Sequence, residues 1–265
     1  MSYGQDTDTP EAEWYVRLGG VRHPRLRLVC YPHAGGSGAM FASWPLRLDP
    51  GIELLAAQLP GRGDRRNEDP IESVPAMARS LADNLPPDDA PLALLGHSMG
   101  GMLAFEIARL RAQRRQPLPR HVFLSATPSP GAERRKPLLH TLSDEELMCA
   151  LRRLDGPAIE MLDDPALASL VLPVVRADLR AVEQHRVTPG MRLTVPVTVF
   201  IGNEDADVGF EEVTAWREFT TGPFAIHAFP GGHFFPMTSA DAVLRSIDTL
   251  LRCDQEPAVR ATPIR

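Results

Sequence analysis

The segment Leu92-Ala93-Leu94-Leu95-Gly96-His97-Ser98-Met99-Gly100 joins an apolar run to an Ala/Leu/Met-rich run through a turn that holds Ser98 between two glycines. G-x-S-x-G between a strand and a helix is typical of a nucleophile elbow, which exposes a serine hydroxyl at the edge of a sheet. Glycine tolerates the sharp backbone, and the amino terminus of the helix stabilises developing negative charge. We therefore predict Ser98 as a nucleophile; the alternative is a helix start built from small residues.

Short β-branched or apolar runs alternate with amphipathic runs on both sides of this segment. Such alternation is typical of a mostly parallel sheet covered by helices on both faces, so the predicted fold class is α/β. Besides Leu92–Gly96, strands are predicted at Leu26–Tyr31, Ile52–Leu59, His121–Ala126, Val195–Ile201 and Phe224–Phe229, with a possible antiparallel edge strand at Glu13–Leu18. Helices are predicted around Met40, Phe41 and Trp44, from Val74 to Leu85, and from Met102 to Leu110.

A long connection without a predicted strand separates Ala126 from Val195. A capping box of Ser143 and Glu146 begins one helix in it, and an apolar helix follows at about 165–186. Because the connection leaves the strand-end edge, we interpret it as a lid at about 130–190; the alternative is a subdomain that only packs. The predicted organisation is a tail over residues 1–24, one domain over 25–252 and a tail over 253–265.

Composition excludes several classes of function. The 265 residues carry a formal net charge of -6, which gives no positive field to attract a nucleic-acid backbone or an anionic membrane. No apolar run reaches the length of a membrane span, and the acidic amino terminus lacks the features of a signal peptide. Three widely spaced cysteines fit a reducing compartment better than a disulfide framework. We therefore expect a cytoplasmic protein that binds neither nucleic acid nor membrane.

A serine hydroxyl becomes an effective nucleophile only when a neighbouring base takes its proton. Of the eight histidines, His233 follows the last predicted strand and precedes the last helix, so its loop ends at the same sheet edge as Ser98. His97, His121 and His227 lie in the elbow or in strands, where a structural role is more common. His233 is therefore the predicted base, and a packed loop histidine is the alternative.

The base needs an acid that fixes its tautomer and stabilises its charged form. The turn Gly202-Asn203-Glu204-Asp205-Ala206-Asp207-Val208 follows the strand that ends at Ile201 and offers three carboxylates. Asp205 is preferred, with Asp207 second and Glu204 third. The order Ser98, Asp205, His233 is that of the α/β-hydrolases.

An oxyanion hole needs the backbone N–H after the nucleophile and a second N–H from the loop after an early strand. Met99 supplies the first, and Ala34 in Pro32-His33-Ala34-Gly35-Gly36-Ser37 is the candidate for the second. This loop lacks both G-x-G-x-x-G and G-x-x-x-x-G-K-[ST], so a nucleotide site is not indicated. The spacing of metal ligands is also missing, and we predict no metal.

Five segments together resemble the type II thioesterases of polyketide and nonribosomal peptide assembly lines. They are Pro32-His33-Ala34-Gly35-Gly36, Pro60-Gly61-Arg62-Gly63, Gly96 to Gly100, Gly202 to Val208 followed by Trp216, and Gly231-Gly232-His233-Phe234. The resemblance extends from about Arg25 to Leu251 and implies an α/β-hydrolase fold with a helical lid. It also implies nucleophile, acid and base at Ser98, Asp205 and His233. The sequence departs from it at His185, where tyrosine is more usual.

The resemblance implies an editing activity, in which stalled or misprimed acyl groups are hydrolysed from the phosphopantetheine arm of acyl or peptidyl carrier proteins. The expected enzyme is a monomer without a cofactor of its own. Candidates for the substrate pocket are His33, Met102, Met148, Met161, His185 and Phe234. Because carrier proteins are usually acidic, candidates for docking them are Arg62, Arg65, Arg134 and Arg135.

Two other functions fit the same motifs. A carboxylesterase or lipase that acts on small esters would use the same triad chemistry, since the fold alone does not select the leaving group. A catalytically silent binding protein would keep the pocket without the reaction.

Overall fold

The computed structural model describes residues 13–130, 137–154, 156, 162–187, 190 and 192–253. Its strands are β1 (Tyr15–Arg17), β2 (Leu26–Tyr31), β3 (Ile52–Ala57), β4 (Leu92–His97), β5 (Val122–Ser125), β6 (Val197–Gly202) and β7 (Phe224–Phe229). Its α-helices are α1 (Val74–Asp83), α2 (Met99–Gln113), α3 (Asp144–Arg153), α4 (Pro165–Gln184), α5 (Phe210–Thr214), α6 (Phe235–Thr238) and α7 (Ala240–Cys253).

Within the described residues, the strands form one seven-stranded sheet in the order β1-β3-β2-β4-β5-β6-β7. The edge strand β1 runs antiparallel to β3, and the other neighbouring pairs are parallel. Parallel strands need covered faces, and their continuous burial from β2 to β6 meets that need. The predicted α/β class with a mostly parallel sheet is confirmed.

Two hydrophobic clusters cover the two faces of the sheet. One packs α1 and α2 against the sheet around Met77, Leu103 and Phe105. The other places α7 against the opposite face through Val243, Leu244 and Ile247. Because the strands from β3 to β7 in the sheet order are parallel, their carboxyl ends lie at one edge, where the loops that follow them meet.

The predicted helix around Met40 and Trp44 is wrong as an α-helix. The chain forms two short 3-10 helices there, Gly38–Phe41 and Trp44–Leu46. Pro45 has no N–H to donate, so a helix that begins at Gly38 cannot continue through it with a complete hydrogen-bond ladder. Met40, Phe41 and Trp44 are nevertheless buried, so the apolar spacing predicted burial correctly but not the type of helix.

The long connection between β5 and β6 contains α3 and α4. The capping box at Ser143 and Glu146 begins α3 with both reciprocal bonds present, and the Asp164 carboxylate caps α4. A third cluster, formed by Leu147, Leu162, Ala168 and Leu172, lies within this connection. We call the described part of this connection, residues 137–154, 156 and 162–187, the helical insertion. No helix in the described ranges is both long and apolar enough to cross a membrane.

Candidate active site

Ser98 lies in a strained turn between β4 and α2. Its φ of 55° and ψ of -117° fall in a region that few side-chain-bearing residues adopt, and such strain persists only where the surroundings enforce it. The backbone of Ser98 donates to Ser125 O at 2.7 Å, and its carbonyl accepts from Thr127 Oγ1 at 3.0 Å. Ser125 is the last residue of β5, and Thr127 comes two residues later. The neighbouring strand therefore holds the turn, with the half-buried serine side chain at the sheet edge.

Glycines allow the helix after Ser98 to lie unusually close to its neighbours. A Cβ atom at Gly96 would collide with the Gly100 carbonyl, and one at Gly100 would collide with the Tyr31 carbonyl at the end of β2. The close approach brings the amino terminus of α2 next to the loop that follows β2. The motif therefore places Ser98 close to the loop that follows β2.

His233 and Asp205 form a buried pair at the same sheet edge. His233 Nδ1 lies 2.8 Å from Asp205 Oδ2, and only 8% and 1% of their side chains are exposed. The loops meet because Gly202 has no side chain: a Cβ atom there would collide with the carbonyls of Gly231 and Gly232. An imidazole held in this way has its Nε2 directed away from the acid and available for proton transfer.

Of the three carboxylates in the turn after β6, Asp205 is the one hydrogen-bonded to His233. Asp205 Oδ1 accepts from the N–H groups of Asp207 at 2.8 Å and Val208 at 3.1 Å, while Oδ2 faces His233. Glu204 and Asp207 are exposed instead. Both oxygens of Asp205 are therefore used, one to shape the turn and one to orient the histidine.

The His233 ring contacts the residue that precedes Ser98. The His97 ring lies 5.2 Å from the His233 ring between centroids, and His97 directly precedes Ser98. Among the described residues, the Ser98 hydroxyl has no hydrogen bond to His233. Hydrogen bonds between catalytic groups often tighten only once substrate is bound, so this arrangement is compatible with proton transfer between Ser98 and His233.

We call the turn from His33 to Gly36, which contains the predicted oxyanion donor Ala34, the oxyanion turn. It lies beside the amino terminus of α2. It is closed by the bond from Gly36 N to His33 O at 2.9 Å, and Gly35 has a φ of 73°. Neither the Ala34 N–H nor the Met99 N–H donates to a protein acceptor within the described residues. Two free donors next to a nucleophile can bind a developing oxyanion.

Two more histidine rings flank the pair. The His33 ring lies 4.8 Å from Phe234 and 6.0 Å from His97 between centroids. Burial, reinforced by His233 and Arg62, lowers the pKa of His33 to about 4. Burial also holds the pKa of His97 well below its usual range, with His233 and His33 acting in the same direction. Both rings are therefore neutral near pH 7, and they add no cation beside the base.

The predicted pocket residues lie in different environments. Phe234 contacts the rings of His33, His97 and His233, and a Cβ atom at Gly156 would press on its ring. Met102 belongs to the cluster of the sheet, whereas Met148 packs on that of the insertion. His185 is buried against Glu106 of α2, with its Nε2 3.2 Å from a carboxylate oxygen. Met161 lies outside the described residues.

The docking prediction is wrong for Arg62 and Arg65. Both guanidinium groups are more than nine-tenths buried and paired, Arg62 with Asp178 and Arg65 with Glu68. Arg65 also lies over the Trp14 ring at 3.9 Å. A buried, neutralised cation cannot attract an acidic partner at the surface. Arg134 and Arg135 lie outside the described residues.

The described residues contain no cluster of three or more His, Cys, Asp or Glu side chains that could hold a metal ion. The sequence analysis missed two contributors to the site, Thr127 and Asp178. Thr127 supports the Ser98 carbonyl, and its own carbonyl accepts from Trp216 Nε1 at 2.9 Å. Asp178 is the fully buried partner of Arg62. The sequence does hold a signal for Asp178, because it is a charged residue in the apolar helix predicted at about 165–186.

A strained serine after β4, a carboxylate after β6 and a histidine after β7 at one sheet edge define an α/β-hydrolase. Residues 26–251 match the Thioesterase domain family, and the chain belongs to that family. It is an enzyme of the hydrolytic thioesterase class.

Several known proteins similar to the chain carry the name thioesterase. The chain is 37% identical to the probable cadicidin biosynthesis thioesterase of Streptomyces griseus, over 94% of this chain and 68% of that protein. It is 38% identical to thioesterase PikA5 of Streptomyces venezuelae, over 84% and 79%. Among solved structures, the type II thioesterase BorB from the borrelidin biosynthetic cluster is 39% identical, with a TM-score of 0.82 over 90% of this chain and 98% of that one.

Proposed function

We propose that the protein is an editing thioesterase that hydrolyses acyl groups from the phosphopantetheine arm of acyl or peptidyl carrier proteins. The observation that carries the chemistry is the buried 2.8 Å bond between His233 and Asp205, at the sheet edge where Ser98 is strained. The substrate class is supported by the likeness to BorB, a type II thioesterase of a biosynthetic cluster. The phosphopantetheine belongs to the substrate, so the enzyme needs no cofactor of its own.

In the first half of the reaction, Ser98 Oγ attacks the thioester carbonyl while His233 Nε2 takes the hydroxyl proton. The Met99 and Ala34 N–H groups donate to the oxyanion, and Asp205 stabilises the imidazolium. The carbon–sulfur bond then breaks. His233 returns its proton to the departing sulfur, which leaves the arm as a free thiol and the acyl group on Ser98.

In the second half, water replaces the thiol. His233 takes a proton from the water as its oxygen attacks the acyl carbon, and the same two N–H groups stabilise the second oxyanion. The bond to Ser98 Oγ breaks, and His233 protonates that oxygen. A free carboxylic acid leaves, and the enzyme is restored.

The helical insertion serves in this proposal as the lid over the acyl group. Its closeness to the site supports that role: Gly156 approaches Phe234, and Val175 of α4 lies against Gly35 of the oxyanion turn. The lid must admit the narrow phosphopantetheine arm and one water molecule. In this proposal the enzyme acts as a monomer in the cytoplasm; the widely spaced cysteines support the reducing compartment.

Intact-mass spectrometry of an acyl-loaded carrier protein tests reaction, partner and nucleophile together. The carrier is incubated with wild type or with Ser98→Ala, across short, branched and long acyl groups. We expect wild type to remove the acyl mass and leave the free phosphopantetheine thiol. Ser98→Ala should lower the rate by on the order of 10³-fold or more while remaining folded.

Each alternative function gives a different result. Hydrolysis of aryl esters without loss of the acyl mass would indicate a small-ester hydrolase. Failure of folded wild type to react with a fluorophosphonate probe would indicate a silent binding protein. Near-normal turnover by Ser98→Ala would contradict the proposed nucleophile.

A further inference from the structure

One buried ion pair connects the helical insertion to the oxyanion turn. Asp178 lies in the middle of α4 and has no exposed surface. Its Oδ2 accepts from Gly35 N at 2.7 Å and from Arg62 Nη1 at 2.6 Å, and its Oδ1 accepts from Arg62 Nη2 at 2.9 Å. The carboxylate thus receives three N–H groups from two loops that follow neighbouring strands.

Arg62 completes the contact from the other side of the turn. Its Nη1 also donates to Gly36 O at 3.2 Å, and its Nε donates to Pro60 O at 3.2 Å. The pair therefore holds the N–H of Gly35 and the carbonyl of the next residue at once. These two groups lie just after Ala34, whose N–H is the second donor of the proposed oxyanion hole.

The turn needs such support because its backbone has another low-energy form. A closing bond from Gly36 N to His33 O and a φ of 73° at Gly35 are the marks of a type II turn. Rotation of the peptide between Ala34 and Gly35 converts it to type I with little movement elsewhere. That rotation would turn the Gly35 N–H away from Asp178 and the Ala34 carbonyl towards it, so the Asp178 carboxylate favours the type II form.

Stability alone does not explain a buried ion pair. Desolvation of two charges offsets most of their attraction, and well-packed apolar residues often replace such a pair without loss. The described chain has a second buried pair, Arg27 with Glu53, at the opposite end of β2 and β3. It lies far from the oxyanion turn and therefore provides a matched control.

We propose that Asp178 and Arg62 are positioning residues for the oxyanion hole, which is fully formed only when α4 of the insertion is seated on the turn. Val175, three residues before Asp178, supports this coupling because its side chain occupies the space that a Cβ atom of Gly35 would need. The inference rests on the proposed function, since it assigns the Ala34 N–H to the oxyanion.

The test compares two double variants on a small acyl thioester of N-acetylcysteamine, which needs no carrier protein. Asp178→Leu/Arg62→Met removes the clamp without leaving an unpaired buried charge, and Arg27→Met/Glu53→Leu removes the control pair. We expect the first to lower kcat at least ten-fold with KM within about three-fold, because the donor acts mainly on the transition state. The control should keep kcat within about two-fold of wild type.

The affinity for a trifluoromethyl ketone analogue of the substrate separates a defect in the oxyanion hole from a general loss of structure. Ser98 adds to its carbonyl and forms a hemiketal whose oxyanion occupies the hole, so its affinity should fall by the same factor as kcat/KM. Asp178→Asn combined with Arg62→Met retains an amide oxygen for the Gly35 N–H, leaves no unpaired buried charge and should recover part of the kcat lost in the first double variant. If the first double variant does not fold, Arg62→Lys, which loses the paired bonds but keeps the charge, carries the same measurement.

The two proposals fail in different ways. The inference is overturned if the folded clamp variant, or Arg62→Lys in its place, matches the control in kcat and in inhibitor affinity while Ser98→Ala is inactive. The proposed function fails if wild type does not hydrolyse the thioester or if Ser98→Ala retains its turnover.

Discussion

Asp205 and Asp207 are two residues apart in one turn, yet only Asp205 faces His233. We expect Asp205→Asn to lower kcat on the order of 10³- to 10⁴-fold, because an amide can donate to Nδ1 and favour the wrong imidazole tautomer. The amide oxygen can still accept from the N–H groups of Asp207 and Val208, so the turn should keep its shape. Steady-state hydrolysis of an acyl thioester measures the effect.

Asp207→Asn is the matched control for that substitution. Its side chain is exposed, and the contribution of its N–H to the turn does not depend on the carboxylate. Turnover should therefore stay within a few-fold of wild type. Equal losses of turnover in the two variants, or a larger loss in Asp207→Asn, would show that Asp205 is not the acid.

For single residues, the sequence predicts which side chains gather at the site better than it predicts which side chains are exposed. Ser98, Asp205 and His233 could be placed at one edge because each follows a predicted strand, and parallel strands bring their carboxyl ends together. Arg62 was predicted to dock an acidic carrier protein from a loop that follows a strand, but its guanidinium is buried. Its buried partner Asp178 is 116 residues further along the chain, and no local pattern connects the two.

At the scale of elements, the quality of prediction follows the local signals. The limits of β2 and β7 agree with the predicted strands, because each is a short, mostly apolar run bounded by turn residues. The start of α3 agrees because the capping box is a local feature. The helix expected around Met40 fails because periodicity does not show the effect of Pro45 on the hydrogen-bond ladder.

The insertion should open more readily than the sheet. The buried cluster of Leu147, Leu162, Ala168 and Leu172 is much smaller than those of the sheet. Elements with few buried apolar contacts open at lower free energy than the global unfolding. Hydrogen exchange followed by mass spectrometry should therefore show faster exchange in α3 than in α2.

Leu147→Ala tests whether that opening is local. Removal of the fully buried leucine should speed exchange in α3 by about ten-fold or more and leave α2 and β4 unchanged. Leu103→Ala deletes the same atoms from the cluster of the sheet and should lower protection throughout. A uniform change in both variants would mean that the insertion and the sheet unfold as one unit.

At the scale of the whole molecule, the proposed catalytic residues come from segments that are far apart in the chain. The oxyanion turn follows β2, the proposed nucleophile follows β4, the proposed acid follows β6 and the proposed base follows β7. Clustering these segments also places the buried His97 and the half-buried His33 beside His233, where protonation of either ring is unfavourable.

The buried histidines make the stability of the fold depend on pH. The pKa of His33 falls from about 6.5 in an unfolded chain to about 4 in the fold, because of burial and the nearby His233 and Arg62. Between those values the unfolded chain binds more protons, so stability is full above about pH 6.5 and is lost as pH falls toward 4. The expected loss from His33 is about 2 kcal/mol between pH 7.5 and pH 5. The lowered pKa of His97 acts in the same direction.

Urea unfolding of wild type and His33→Asn across pH 5 to 8 measures this contribution. The difference at pH 8, where the histidines are neutral in both states, gives the packing lost with the ring. The variant should then show a shallower decline in the free energy of unfolding as pH falls, because one of the groups that must stay neutral in the fold is gone. Parallel curves for the two proteins would mean that His33 gains its proton as easily in the fold as in the unfolded chain.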